Sequence, residues 1–272
     1  MVTKKKAALF VSEAVEEVAK IKSDALQKRN DLMEQSDRKS QHQPVASNSL
    51  KMKLDHLKTF DPLTDNQKKL FDAYKQGHYF IGVLGSAGTG KTFCSMYKGI
   101  EEVMDKTNSF KRVVVVRSCV QTRDVGFLPG SLDEKQEIYE LPYKEIAATL
   151  FDRPDAWDRL KEQGYARFIS TTAIRGISID DAVVIVDEAQ SMTWHELSTI
   201  MTRVGYRSKI IFVGDWRQND LIKSRNDTSG LLEFLNVARK MSEFTEIEFN
   251  RDDIVRSSLV KSWVIACEES GY

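Results

Sequence analysis

The sequence predicts an α/β fold, a parallel sheet with helices on both faces, and three observations carry that reading. Short apolar runs rich in Val, Ile and Phe recur after residue 60 and hardly alternate with polar residues, as strands covered on both sides do. Helical patterns follow several of these runs, the mark of crossover connections between parallel strands. A glycine-rich loop stands between the first run and the helical pattern after it.

The chain opens on a different composition. Residues 1–58 hold twelve Lys and Arg against eight Asp and Glu, a net +4, which leaves the remaining residues at −4 within a formal total of zero. Val11, Ala14, Val18, Ile21, Ala25 and Leu32 recur at steps of three and four, the seam of an amphipathic helix. Ser36 to Ser49 is polar and aperiodic, a linker. Residues 1–58 therefore read as an N-terminal helical extension, solvated or paired with another subunit, and 59–272 as the main domain.

In the main domain the expected strands are Tyr79 to Leu84, Arg112 to Val116, Arg167 to Thr171, Val183 to Asp187 and Lys209 to Val213, with Phe244 to Phe249 a sixth. The expected helices are Lys91 to Met104, Trp194 to Val204, Leu231 to Met241 and a closing Ser257 to Glu268. Charge excludes a global attraction for nucleic acid, so such a partner needs a local basic patch. Cys94, Cys119 and Cys267 form no CxxC pair, which points to free thiols in a reducing compartment and away from zinc. No apolar run approaches the roughly 20 residues of a membrane span. The basic start runs into Ser12, Glu13 and Glu16 where a secretory signal needs an apolar stretch, so a cytoplasmic location is expected.

Two motifs carry chemistry. Gly85-Ser86-Ala87-Gly88-Thr89-Gly90-Lys91-Thr92 fits GxxxxGK[ST] between an expected strand and helix, the context of a P-loop. Its glycines let the backbone curl round a phosphate, and its N–H groups with the helix N-terminus favour the anion. Lys91 would reach the β- and γ-phosphates and the Thr92 hydroxyl a Mg²⁺ ion. The second motif, Asp187-Glu188, follows a buried run and lies at the carboxyl end of a strand, where open α/β sheets bind ligands. Asp187 suits the metal shell and Glu188 the general base that activates water. Gln218, after the strand Lys209 to Val213, stands where a γ-phosphate sensor would.

These residues, together with Leu63-Thr64-Asp65-Asn66-Gln67, Val125-Gly126-Phe127-Leu128-Pro129-Gly130, Ala173-Ile174-Arg175-Gly176 and Thr202-Arg203-Val204-Gly205, follow the order and spacing of the PhoH-like ATPases. The chain resembles that family from about residue 60 to 270, and its size resembles the stand-alone members of tailed bacteriophages and bacteria. The resemblance implies a RecA-like P-loop NTPase core related to the first motor domain of superfamily 1 helicases, using ATP and Mg²⁺. It implies that Gln67 reads the adenine edge, that Gly85 to Thr92 cradle the phosphates, and that Arg256, in Asp252-Asp253-Ile254-Val255-Arg256, is an arginine finger acting in cis or on a neighbour's nucleotide. It further implies a homo-oligomer, with a hexameric ring as one form. Neither a nuclease domain nor a second motor lobe is expected in a chain of this length.

Two functions compete at this level. One is an ATPase coupled to RNA or single-stranded DNA through Arg117, Arg123, Arg175, Arg203 and Trp216. The other is a nucleotide-dependent scaffold with slow hydrolysis and no nucleic acid. A small-molecule kinase is disfavoured, because Glu188 suits water activation and no arginine-rich lid is evident.

Overall fold

In the computed structural model of the chain, residues 51–119, 132–215 and 230–270 are described. Six strands form one parallel sheet in the order β3-β2-β4-β5-β1-β6. They are β1 (Phe80–Gly85), β2 (Arg112–Arg117), β3 (Ala166–Ser170), β4 (Ala182–Asp187), β5 (Lys209–Gly214) and β6 (Phe244–Phe249). Each lies within a residue or so of its expected span, because continuous apolar runs leave little freedom about where a doubly covered strand begins.

The helices are α1 (Asp65–Lys75), α2 (Lys91–Met104), α3 (Leu132–Phe151), α4 (Ala156–Glu162), α5 (Trp194–Met201), α6 (Leu231–Ala238) and α7 (Ser258–Glu269). Helices α5 and α6 end three residues before their expected ends. Helix α1 starts at Thr64, whose hydroxyl accepts from Gln67 N. Helix α3 carries Pro142 in its interior, where a main-chain donor is lost.

Successive strand residues feed two separate cores, as the pleat requires. Ile81, Val83, Val113, Val115, Val183 and Ile185 pack on one face with side chains of α1 to α4, including Leu70, Ile100, Tyr143 and Trp157. Leu84, Val114, Val116, Val184, Val186 and Phe212 pack on the other with α5 and α6, through Leu197, Ile200, Phe234 and Leu235. Helices on both faces of a parallel sheet are the arrangement expected from the sequence.

Compactness begins at Lys51, ahead of the boundary at 58 that composition suggests. Met52 is buried in the first core, Met52 N donates to Gln163 Oε1, and Lys58 N donates to Leu150 O. A single buried methionine within a polar stretch escapes a reading by average composition. The amphipathic seam, the linker, the Val125 to Gly130 segment, Arg123, Trp216 and Gln218 lie outside the described residues.

Candidate functional site: a phosphate loop and its carboxylates

The carboxyl ends of β1, β4 and β5 meet one cleft of about 870 Å³, lined by Lys91, Thr92, Arg117, Asp187, Glu188 and Arg256 among others. Its floor is the loop after β1. Gly85 has φ 116°, and a Cβ there would lie 1.9 Å from the Phe249 carbonyl oxygen, so only glycine lets β1 turn beside β6. The loop is tied down from several directions. Ser86 N donates to Phe249 O, Ser86 Oγ to Glu268 Oε1 at 2.6 Å, Gln67 Nε2 to Thr89 O at 3.0 Å, and Val255 N to Gly88 O at 3.1 Å. Gly90, in the left-handed region, starts α2, and no side chain caps that helix. The first N–H groups of α2 therefore face the loop without a side-chain acceptor, an anion-binding arrangement.

Lys91 is buried, and its Nζ donates to Gly85 O and Ser86 O, both at 2.7 Å. Burial pulls its pKa down, while Asp215, Glu188 and Asp187 act to keep the ammonium charged. Thr92 Oγ1 donates to Asp187 Oδ1 at 2.9 Å, which joins the two residues expected to serve a metal. Asp187 is buried at the end of β4; burial and the neighbouring Glu188 raise its pKa, opposed by hydrogen bonds from Tyr143 and Thr92 and by Arg117.

Glu188 stands next in the chain with φ 53°, an uncommon conformation for a residue with a Cβ. It is half-buried, and Gln190 Nε2 donates to its Oε2 at 2.5 Å. The other end of the Gln190 carboxamide accepts from Asp215 N at 3.0 Å, so one buried side chain bridges the ends of β4 and β5.

Most of the expected site residues come together here. Gln67 lines the cleft, with its Oε1 accepting from Leu63 N at 2.8 Å and its amide held by Thr89. Arg256 lines the cleft of its own chain, and a Cβ on Gly88 would lie 3.0 Å from its Cγ. Two of the arginines considered for nucleic acid are otherwise engaged. The Arg117 guanidinium faces Tyr143, Asp187 and Glu188, and Arg203 Nε is buried with no hydrogen-bond partner. Arg175 is exposed.

Sequence reasoning passed over three members of this site. Gln190 was quoted with its motif but given no part, and Arg117 was assigned to a different surface. Tyr143, whose hydroxyl donates to Asp187 Oδ2 at 2.8 Å, was not singled out and carries no local signal.

The fold and this site define a P-loop nucleotide-binding protein. The chain belongs to the PhoH-like protein family, whose model matches residues 59–268. The PhoH-like protein of Mycobacterium leprae is 32% identical over 213 residues, 78% of this chain and 59% of that protein. The PhoH-like protein of Bacillus subtilis is 32% identical over 207 residues, 76% and 63% respectively. The chain thus spans about three fifths of the length of these relatives. Among solved structures, the large terminase of a thermophilic bacteriophage aligns over 75% of this chain and 50% of its own, with 14% identity and a TM-score of 0.42, too remote to carry an argument. No helix among the described residues is long and apolar enough to cross a membrane.

Proposed function

We propose that this chain binds ATP with Mg²⁺ and hydrolyses it, coupling turnover to RNA or single-stranded DNA in a homo-oligomer. The observation that carries the hydrolytic part is the convergence of Lys91, the Thr92–Asp187 pair and Glu188 on one cleft. The donor set fits the metal: a hydroxyl and a carboxylate are hard oxygen donors, and Mg²⁺ is commonly held by one or two protein oxygens, substrate phosphates and waters. When bound, Mg²⁺ neutralises charge on the β- and γ-phosphate oxygens.

The chain's own residues supply the rest. The loop N–H groups from Gly85 to Thr92 cradle the phosphates, and Lys91 turns its ammonium from the loop carbonyls to the β- and γ-oxygens. Glu188 accepts the proton of the attacking water, with Gln190 holding its carboxylate. Gln67 fixes the loop and retains one N–H and one lone pair for an adenine edge. Arg256 stabilises developing phosphate charge from within its own chain, and Gln218 senses the γ-phosphate.

Coupling to nucleic acid is supported by the exposed Arg175 in the segment that follows β3, whose carboxyl end shares the loop's end of the sheet. Assembly is supported by α7, which buries no residue and leaves Leu259 and Trp263 79% and 70% exposed.

The test is steady-state ATP turnover of wild type, Lys91→Ala and Glu188→Gln, with binding of a non-hydrolysable analogue measured separately. Lys91→Ala should weaken binding, and Glu188→Gln should bind normally and turn over at least about 10²-fold more slowly. Wild-type turnover in Glu188→Gln would sink the assignment. Stimulation by single strands that fades as salt rises, and a native mass above one chain, are expected for the finer reading.

A further inference from the structure

We propose that Tyr143 is a positioning residue of the phosphate site, fixing Asp187 from the side opposite Thr92 so that the carboxylate presents one defined edge to a divalent cation. The inference rests on the reading of the cleft as an ATP and Mg²⁺ site and adds to it a residue from outside the two motifs. Both oxygens of Asp187 are engaged: Oδ1 accepts from Thr92 Oγ1 at 2.9 Å and Oδ2 from the Tyr143 hydroxyl at 2.8 Å. An ionised carboxylate offers about four lone-pair sites, so one on each oxygen is left, aimed by the two donors.

Tyr143 is itself held rigidly. Its ring is fully buried, with the Trp157 and Phe168 ring centroids 6.0 and 5.9 Å away. Trp157 Nε1 in turn donates to Glu140 Oε2 at 2.6 Å, and the same oxygen accepts from Lys161 Nζ at 2.6 Å. Strand register places Arg117 opposite Asp187, with its guanidinium against the same phenol and carboxylate. Packing alone does not call for this hydroxyl, since phenylalanine would fill the same space among the same rings. The hydroxyl is explained by what it does to Asp187. Groups that orient a metal-binding carboxylate from behind typically matter by about 10- to 100-fold in metal affinity.

The test is Tyr143→Phe in the full chain, with Mg²⁺ titrated against a fluorescent non-hydrolysable ATP analogue and a parallel titration of the analogue in EDTA. Expected is a half-saturating Mg²⁺ concentration about 10- to 100-fold above wild type, with metal-free analogue affinity within about twofold. An unchanged Mg²⁺ half-point overturns the proposal, and so does an equal loss in EDTA, which marks general damage to the cleft. A wild type whose analogue binding ignores Mg²⁺ overturns the reading beneath the proposal, and the proposal with it. Should Tyr143→Phe fail to fold, 3-fluorotyrosine at position 143 keeps the hydroxyl and provides a ¹⁹F resonance. That resonance should move with Mg²⁺ at the half-point of analogue binding; a resonance indifferent to Mg²⁺ refutes the role.

Discussion

Gln190→Ala isolates the tether on the proposed general base. The wild-type carboxamide donates to Glu188 Oε2 at 2.5 Å and accepts from Asp215 N at 3.0 Å, and Gly214 leaves room for it, since a Cβ there would lie 3.0 Å from its Oε1. A hydrogen bond to a charged group contributes about 1.5–3 kcal/mol, and withdrawing the acceptor of a buried N–H costs about 1–3 kcal/mol. The first of these restrains Glu188, whose left-handed backbone itself costs about 1–2 kcal/mol. If the tether is fully expressed in the transition state, its loss lowers kcat by about 10- to 150-fold. Steady-state ATP turnover and analogue affinity measure this, with KM expected to stay within about threefold. Gln190→Glu serves as companion, because it keeps an acceptor for Asp215 N but sets a second negative charge beside Glu188. It should lose turnover with a smaller fall in melting temperature than Gln190→Ala. Wild-type kcat in a folded Gln190→Ala protein refutes the reasoning and leaves Gln190 a purely structural link between β4 and β5.

Arg256→Ala should slow turnover by about 10²-fold, and mixing it with Glu188→Gln subunits should recover nothing, because Arg256 lines the cleft of its own chain. Recovered activity on mixing would place the finger in trans. Glu102→Ala leaves Lys209 buried without the carboxylate that accepts from it at 2.5 Å; the cost is about 3–5 kcal/mol, read as a melting temperature lower by about 10 °C. Asp181 is held below the usual carboxylate range by hydrogen bonds from Lys111 and Arg207. A depressed carboxylate stabilises the fold above its unfolded value near 4, and that benefit is lost as pH falls through the folded value. Thermal melts from pH 6 downward should show Asp181→Asn less stable near neutrality, with a shallower decline in acid; parallel curves would count against the assignment.

What could be read from the sequence divides along the range of the forces involved. Strand spans and the P-loop were legible because their signals are contiguous: apolar runs for β1 to β6, and glycines that a turn against β6 demands at Gly85. Helix α1 was missed although the Thr64 and Gln67 spacing is that of a capped helix start, with Thr64 Oγ1 accepting from Gln67 N. Helix α3 was missed because Pro142 argues locally against a helix that tertiary packing of Tyr143, Ala147 and Leu150 maintains.

The site shows the same division more sharply. Lys91, Thr92, Asp187 and Glu188 sit in two short motifs whose chemistry is local, and the structure brings them to one cleft. The groups that orient them come from elsewhere: Arg117 through the β2–β4 register, Tyr143 from a helix on one face, and Gln190 by spanning to the end of β5. No spacing in the chain encodes these meetings, because each depends on strand order β3-β2-β4-β5-β1-β6, which puts β4 between strands distant in sequence. Arg117 illustrates the consequence. As a lone arginine after a strand it suggested a surface for nucleic acid, whereas its pairing opposite Asp187 turns the same guanidinium onto the proposed metal-binding carboxylate. A motif therefore reports which reacting groups a P-loop protein carries, and only the sheet order reports which side chains hold them in place.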